Sequence, residues 1–293
     1  MKIASVDIGT NAVKSKIFKT TPTSIKYIDG IRSPIRLGSD VFKKGKISEK
    51  KLDELSKTLQ KYQRKFKKDK IDQYEIVATS ALRNSSNSED VRRSIENKIE
   101  HPIRIISGLE EAKLISFHPE AQQGKNKMFI DVGGGSTEIY IYKSNKHFVQ
   151  SFQLGGVRLM LKKDEISEWK RMEKWLKNHK DIKTIIGLGG NIRSFLNIHN
   201  SKKMKTDSFH ENFKKLNELN IKEKIEKYGF ASDRADVIGF AMQIYEKIIK
   251  QLDIKTIQST KWGVSDSIAV KTFHEIYSDK ISIYDCLLYT SPS

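Results

Sequence analysis

The sequence is poor in the groups that most directly mark a reactive centre. It has one cysteine, Cys286, in 293 residues, which excludes an internal disulfide and a cysteine-built zinc cluster. Its seven histidines include no HExxH and no paired spacing, so any metal must be held mainly by oxygen. No apolar run approaches the roughly 20 residues of a membrane span. The opening MKIASVDIG lacks the apolar core and cleavage site of a signal peptide, so the expected location is cytoplasmic. Helix-turn-helix, RNA-recognition and zinc signatures are also missing, which ranks nucleic-acid binding last.

What is abundant is positive charge. Fifty-four Lys and Arg against 36 Asp and Glu leave a formal charge of +18, which draws nucleic acid, lipid head groups and phosphorylated substrates alike. A 37% hydrophobic content is enough for a core, and the length suits one large domain or two medium ones. Leu52, Leu55, Leu59, Tyr62 and Phe66 recur at helical spacing behind Ser48 as N-cap. The basic run KYQRKFKKDK therefore reads as the solvated face of an amphipathic helix.

Residues 2–8 and 13–18 flank DIGTN and predict a β-hairpin. YEIVATSALRNSSNSEDVRRSIENKI predicts a strand at 75–78, a polar turn, and a helix from about Glu89. IRIISGLEEAKLISF repeats the plan, with a strand ending at Ser107-Gly108 and a helix starting near Leu109. TIIGLGGNIRSF and TIQSTKWGVSDSIAV each give strand, glycine turn and helix. Between them Val237, Ile238, Ala241, Ile244, Tyr245, Ile248 and Leu252 mark another helix. Strands alternating with helices mean an α/β architecture.

The polar stretch HPEAQQGKNK, residues 118–127, is the best boundary, giving domains 1–120 and 121–285. The closing YDCLLYTSPS departs from the Lys- and Asn-rich style before it, so 286–293 is set aside as non-native or disordered. KMFIDVGGGSTEIYIYK echoes KIASVDIGTNAVKSKIFK and places Asp131 where Asp7 stands, which suggests an internal duplication.

DVGGGSTEIYIY, residues 131–142, resembles neither a Walker loop nor a dinucleotide loop, because its glycines lead into a strand and no Gly-Lys-Ser/Thr follows. The remaining reading is a hairpin in which the backbone N–H groups of Gly133, Gly134, Gly135 and Ser136 converge on a phosphate. Asp131 and Glu138 bracket it with hard oxygens suited to Mg²⁺ or another divalent cation. The alternative is a set of glycines that merely turn a hairpin.

DIGTN, ATSALRNSSN, IISGLEEA, IDVGGGSTE, LGGVRL and IIGLGGN, in that order, resemble the exopolyphosphatase/guanosine pentaphosphate phosphohydrolase family, over roughly residues 1–275. The resemblance implies two RNase-H-like (actin-like ATPase) α/β domains, mixed sheets flanked by helices, with a cleft between them. It places the catalytic base on Glu111; without the resemblance the preferred reading of Glu110 and Glu111 is acids favoured in the first turn of a helix. It puts Thr10 and Asn11 of the first hairpin, Arg83 of TSALR, and Gly189 and Gly190 of GLGGN near bound phosphate. Asp7 is a further metal candidate beside Asp131 and Glu138. The implied partner is inorganic polyphosphate or guanosine pentaphosphate, whose charge suits a basic protein, and a homodimer is left open.

Several positions depart from the family pattern. Ala12 and Lys14 stand where Ser and Arg are usual, Asn191 where Thr is common, and WGVSDS where Gly-Leu-Arg-Glu-Gly often occurs, putting Asp266 in place of glutamate. The expected function is a Mg²⁺-dependent exopolyphosphatase. The alternatives are a non-catalytic sensor of polyphosphate or guanosine tetraphosphate and, below it, an ATP-dependent kinase, for which no adenosine-binding segment is found.

Overall fold

A computed structural model describes residues 1–123 and 126–278 and the backbone of 288–290. Its strands are β1 (Lys2–Ile8), β2 (Val13–Thr21), β3 (Ser24–Ser33), β4 (Gln73–Ala78), β5 (Arg104–Ile105), β6 (Lys127–Val132), β7 (Thr137–Lys143), β8 (Lys146–Phe152), β9 (Thr184–Leu188), β10 (Lys203–Lys205), β11 (Thr256–Ser259) and β12 (Leu288–Thr290). They form two mixed sheets, ordered β12-β3-β2-β1-β4-β5 and β10-β11-β9-β6-β7-β8. Without β12 and β10 the two orders are the same: an antiparallel meander of three strands, then parallel strands added beyond the first of them. The duplication suggested by Asp7 and Asp131 is thus present in the topology.

The first unit comprises Met1–Ser107, Phe117–Pro119 and Trp262–Ser293. Its helix Glu49–Asp69 forms as the apolar period requires: the Ser48 side chain accepts from the Lys51 N–H, and Leu55, Leu59, Tyr62 and Phe66 are buried. The Tyr62 hydroxyl donates to the Val13 carbonyl (3.1 Å), fixing the helix to β2. On the outer face Lys65 lies between Asp29 and Asp69, at 2.8 and 2.7 Å, so part of the basic run is paired within the chain. The polar turn expected after β4 contains a short helix, Ser80–Arg83, and β5 is only two residues long.

The second unit comprises Gly108–Ser116 and Glu120–Lys261. Met128, Ile130 and Val132 of β6 and Ile139 and Ile141 of β7 join Phe195, Phe209, Ile238, Met242 and Ile249 in one core. Period-two alternation turns Phe129, Asp131, Glu138 and Tyr140 to the other face. The Glu111 helix, Gly108–Leu114, packs on β7 and β8.

A single cut at 120 does not describe this division. The Glu111 helix precedes that point yet packs on the second sheet, and the helix Val264–Tyr277 follows it yet packs on β1 and β2 of the first. Each helix goes where its apolar face is covered, as Ile268, Ala269 and Phe273 are in the latter. Leu288–Thr290 pair in parallel with β3, so this part of the segment expected to be disordered lies in a sheet. Cys286 and the rest of 286–293 lie outside the described residues. Among the described residues no helix is long and apolar enough to cross a membrane.

Candidate active site

The hairpin between β6 and β7 closes with the Gly133 N–H donating to the Ser136 carbonyl (3.0 Å). None of Gly133, Gly134 and Gly135 is in the left-handed region, so the turn does not demand glycine for its φ. The demand is steric. A Cβ on Gly155 would lie 2.6 Å from the carbonyl carbon and oxygen of Gly134 and from the nitrogen of Gly135, which leaves the two backbones in direct contact. Through that contact the start of the helix Gly156–Met160 takes the hairpin's carbonyls: Gly156 N–H donates to Gly133 (3.0 Å), and Val157 and Arg158 N–H to Gly134 (2.8 and 3.0 Å). Arg158 Nε donates to the Gly135 carbonyl (2.9 Å). In a trans peptide the next N–H points opposite its carbonyl. The N–H groups of Gly134, Gly135 and Ser136 therefore point away from this helix.

The acids lie on β6, on β7 and on the Gly108–Leu114 helix that packs on β7 and β8. Asp131 and Glu138 are a register pair of β6 and β7, so both carboxylates lie on one face. Glu138 is buried and accepts from the Ser151 hydroxyl (2.8 Å). Glu111 is buried while Glu110 is exposed. A Cβ on Gly189 would meet Asp131 Oδ1 at 2.5 Å, and its φ of +78° is left-handed, so this position requires glycine on both counts. The Asp131 carboxylate thus sits against the start of the helix Gly189–Asn197, where the backbone dipole favours an anion. Tyr245, buried under β6, donates to the Ile130 carbonyl (3.1 Å). Burial, and then the Asp131 charge, push its pKa well above the ordinary value, so it stays a donor.

Gly190 and Asn191 make a second support. Asn191 Nδ2 donates to the Val132 carbonyl (2.8 Å), at the foot of the glycine hairpin. Arg234 Nη1 donates to Asn191 Oδ1, and its Nη2 would lie 2.5 Å from a Cβ on Gly190. The departure at Asn191 therefore carries hydrogen bonds on both sides of its amide. Sequence reasoning does not single out Gly155, Arg158 or Arg234. The available signal is the glycine pair in LGGVRL, whose partner cannot be read from local pattern.

Thr10, Asn11, Asp7 and Arg83 belong to the first unit. Its hairpin has the same closure, Gly9 N–H to the Ala12 carbonyl (3.2 Å), and again a helix start takes the turn carbonyls, Arg36 N–H from Asn11 and Gly38 N–H from Thr10 (both 2.9 Å). Asp7 is a register partner of Lys14, whose Nζ lies 3.5 Å from its carboxylate. Burial raises the Asp7 pKa, and Lys14 opposes the shift. Asp266, the other departure, is fully buried, accepts from the Gly263 N–H (2.8 Å) and pairs with Lys16 (2.7 Å). Arg83 is half-buried and donates to the Ile106 carbonyl (2.8 Å), on the segment that leads to the Glu111 helix.

The donor set bears on the expected cation. Among the described residues no three His, Cys, Asp or Glu side chains are grouped as a metal cage. Two paired carboxylates next to the hairpin N–H groups suit Mg²⁺, which keeps waters and takes substrate oxygens rather than an all-protein shell. Asp131 and Glu138 fit that ion. Asp7, opposite a lysine, fits it less well.

Known structures share the fold of this chain. A model of the Ppx/GppA phosphatase family matches residues 16–275. A crystal structure of the Aquifex aeolicus member of the Ppx/GppA family matches with TM-score 0.74 at 23% identity, covering 96% of this chain and 99% of that one. A crystal structure of an exopolyphosphatase from Cytophaga hutchinsonii matches with TM-score 0.81 at 20% identity, covering 94% and 98%. The family match starts at residue 16, within β2, so Asp7, Thr10 and Asn11 lie outside it.

Proposed function

Because the chain belongs to the Ppx/GppA phosphatase family, we propose that it hydrolyses the terminal phosphoanhydride bond of inorganic polyphosphate, with guanosine pentaphosphate as a second substrate. One observation carries this reading. The second hairpin turns its N–H groups away from a helix that holds its carbonyls, and sets beside them a like-charged carboxylate pair.

In the proposed reaction the N–H groups of Gly134, Gly135 and Ser136 hold the terminal phosphoryl oxygens. The transition state of phosphoryl transfer is loose and places charge on the equatorial oxygens, so fixed donors there lower the barrier. Glu111 accepts a proton from a water in line with the bridging P–O bond. Oxygen of that water bonds to phosphorus, the bridging bond breaks, and the shortened chain leaves with its electron pair as orthophosphate forms. Mg²⁺ held by Asp131 and Glu138 would supply positive charge to the phosphoryl oxygens. Gly189 and Gly190, beside Asp131 in the same unit, would contact the substrate.

The test is phosphate release from long polyphosphate, short polyphosphate and guanosine pentaphosphate, with and without Mg²⁺. Release from polyphosphate that requires the cation is expected. Tight binding without release would replace hydrolysis by sensing, and neither binding nor release from a folded sample would end the reading.

A further inference from the structure

β8 is the last strand of the second sheet, so among the described residues its outer edge carries no further strand. Side chains close that edge where β8 ends. On the helix Ile166–Leu176, Arg171 grips Glu168 through two hydrogen bonds of 2.8 Å. Arg171 Nη2 also donates to the Ser151 carbonyl (2.5 Å), and Glu168 Oε2 accepts from the Gln153 N–H (2.7 Å). A neighbouring strand would offer a donor and an acceptor to these same two groups; here an ion pair does so. The Arg171 guanidinium lies over the Phe152 ring, 4.4 Å from its centroid, which fixes the residue between the two bonds. The Gln153 side chain accepts from Arg158 Nη2 (2.8 Å), and Arg158 Nε holds the Gly135 carbonyl, so the closed edge and the glycine hairpin share one frame.

Ser151 is the residue held by this clamp, and its side chain meets the carboxylate pair. Asp131, Glu138 and Ser151 are successive register partners across β6, β7 and β8, which puts them in one row on one face. The Ser151 hydroxyl donates to Glu138 Oε1 (2.8 Å), on a residue only 2% exposed. We propose that Ser151 is a positioning residue that fixes the Glu138 carboxylate for the divalent cation, and that the Arg171–Glu168 pair fixes Ser151. This rests on assigning the cation to Asp131 and Glu138.

The chemistry of the donor supports the role. The terminal torsion of a glutamate is broad, so burial alone does not set its carboxylate plane. One hydrogen bond to one oxygen does. Such outer bonds order a metal-binding carboxylate before the ion arrives. The corresponding row of the first sheet is Asp7, Lys14 and Arg32, an acid beside two cations. In the second row the donor is a neutral hydroxyl, which orients a carboxylate and adds no charge to it.

Binding of Mn²⁺, which takes the same oxygen ligands as Mg²⁺, tests this apart from activity, by electron paramagnetic resonance of the full chain without substrate. Ser151→Ala should weaken Mn²⁺ binding about 10–100-fold. Ser151→Thr keeps the hydroxyl and should restore binding, while Ser151→Val, of the same shape, should not. If Ser151→Ala melts, the Thr and Val variants carry the comparison. Arg171→Lys keeps the charge and loses the planar fork; it should weaken binding in the otherwise unaltered chain and add nothing in Ser151→Ala, because the two act in series. Unaltered affinity in Ser151→Ala, equal affinity in the Thr and Val variants, or full additivity with Arg171→Lys would overturn the positioning. Glu138→Gln separates this reading from the one beneath it. If that variant binds Mn²⁺ normally, or the unaltered chain binds none, the cation assignment fails and this role with it; loss of binding in Glu138→Gln alone overturns only the role of Ser151.

Discussion

The two hairpins share a backbone and differ in charge. Both close from the N–H of a glycine to the carbonyl three residues on, and both give turn carbonyls to the start of a following helix. In the first, each buried acid faces a lysine of β2: Asp7 with Lys14 and Asp266 with Lys16. In the second, the equivalent positions of β7 are Glu138 and Tyr140, and the covering helix brings Glu111. Like charges directly opposite on a sheet repel, and the Ser151 hydroxyl donates to Glu138. The difference teaches that the two halves share a scaffold while the cross-strand partner of the acid differs, a lysine in the first and a second acid in the next.

The comparison breaks most sharply at Glu111. Glu111→Gln keeps size and burial and removes the base, and turnover should fall about 10²–10⁴-fold with polyphosphate binding retained. An unchanged rate would take Glu111 out of the reaction. Glu138→Lys recreates the pair of the first hairpin. Phosphate release should drop about a hundredfold and lose its response to Mg²⁺ concentration; a normal Mg²⁺ response would show that Glu138 is no ligand.

Smaller changes sharpen the contrast. Gly155→Ala forces a methyl into the backbone of Gly134 and Gly135, which should cost about 1–3 kcal/mol in denaturant unfolding and raise KM. The weakest effect belongs to Lys14→Met, because Lys14 is 44% exposed and solvent screens the pair. About 0.5–1 kcal/mol should be lost at neutral pH. The pH dependence has a definite sign. Burial places the folded Asp7 pKa above the ordinary value, so the folded state favours the protonated acid. The contribution of Asp7 to stability is fully present below its unfolded pKa and declines as pH rises through the folded one. The Lys14→Met deficit should therefore vanish on acidification, when Asp7 is neutral. A deficit independent of pH would assign it to lost packing instead.

Much of this was legible in the sequence, and the reasons are local. Alternation gave β1, β2, β6 and β7, the Ser48 cap and apolar period gave the helix Glu49–Asp69, and the echo of Asp7 in Asp131 gave the duplication. The rest depends on contacts far apart along the chain. Nothing near Gly134 says that Gly155 will lie against it, and nothing near Val132 announces Asn191 and Arg234. Asp266 read as a loss from a family motif, but Lys16 and Gly263 give it a structural use. The placement of two helices was missed for the same reason, since periodicity shows an apolar face without naming what covers it.

The return of the helix Val264–Tyr277 to the first sheet has a consequence for biogenesis. On the ribosome the strands of the first unit emerge early, yet the element that packs on β1 and β2, binding the Ser5 hydroxyl and the Lys16 ammonium, is the last long helix among the described residues. At about 5–20 residues per second, the nascent chain carries an uncapped greasy surface through synthesis of the whole second unit. A fragment ending near residue 120 should therefore aggregate.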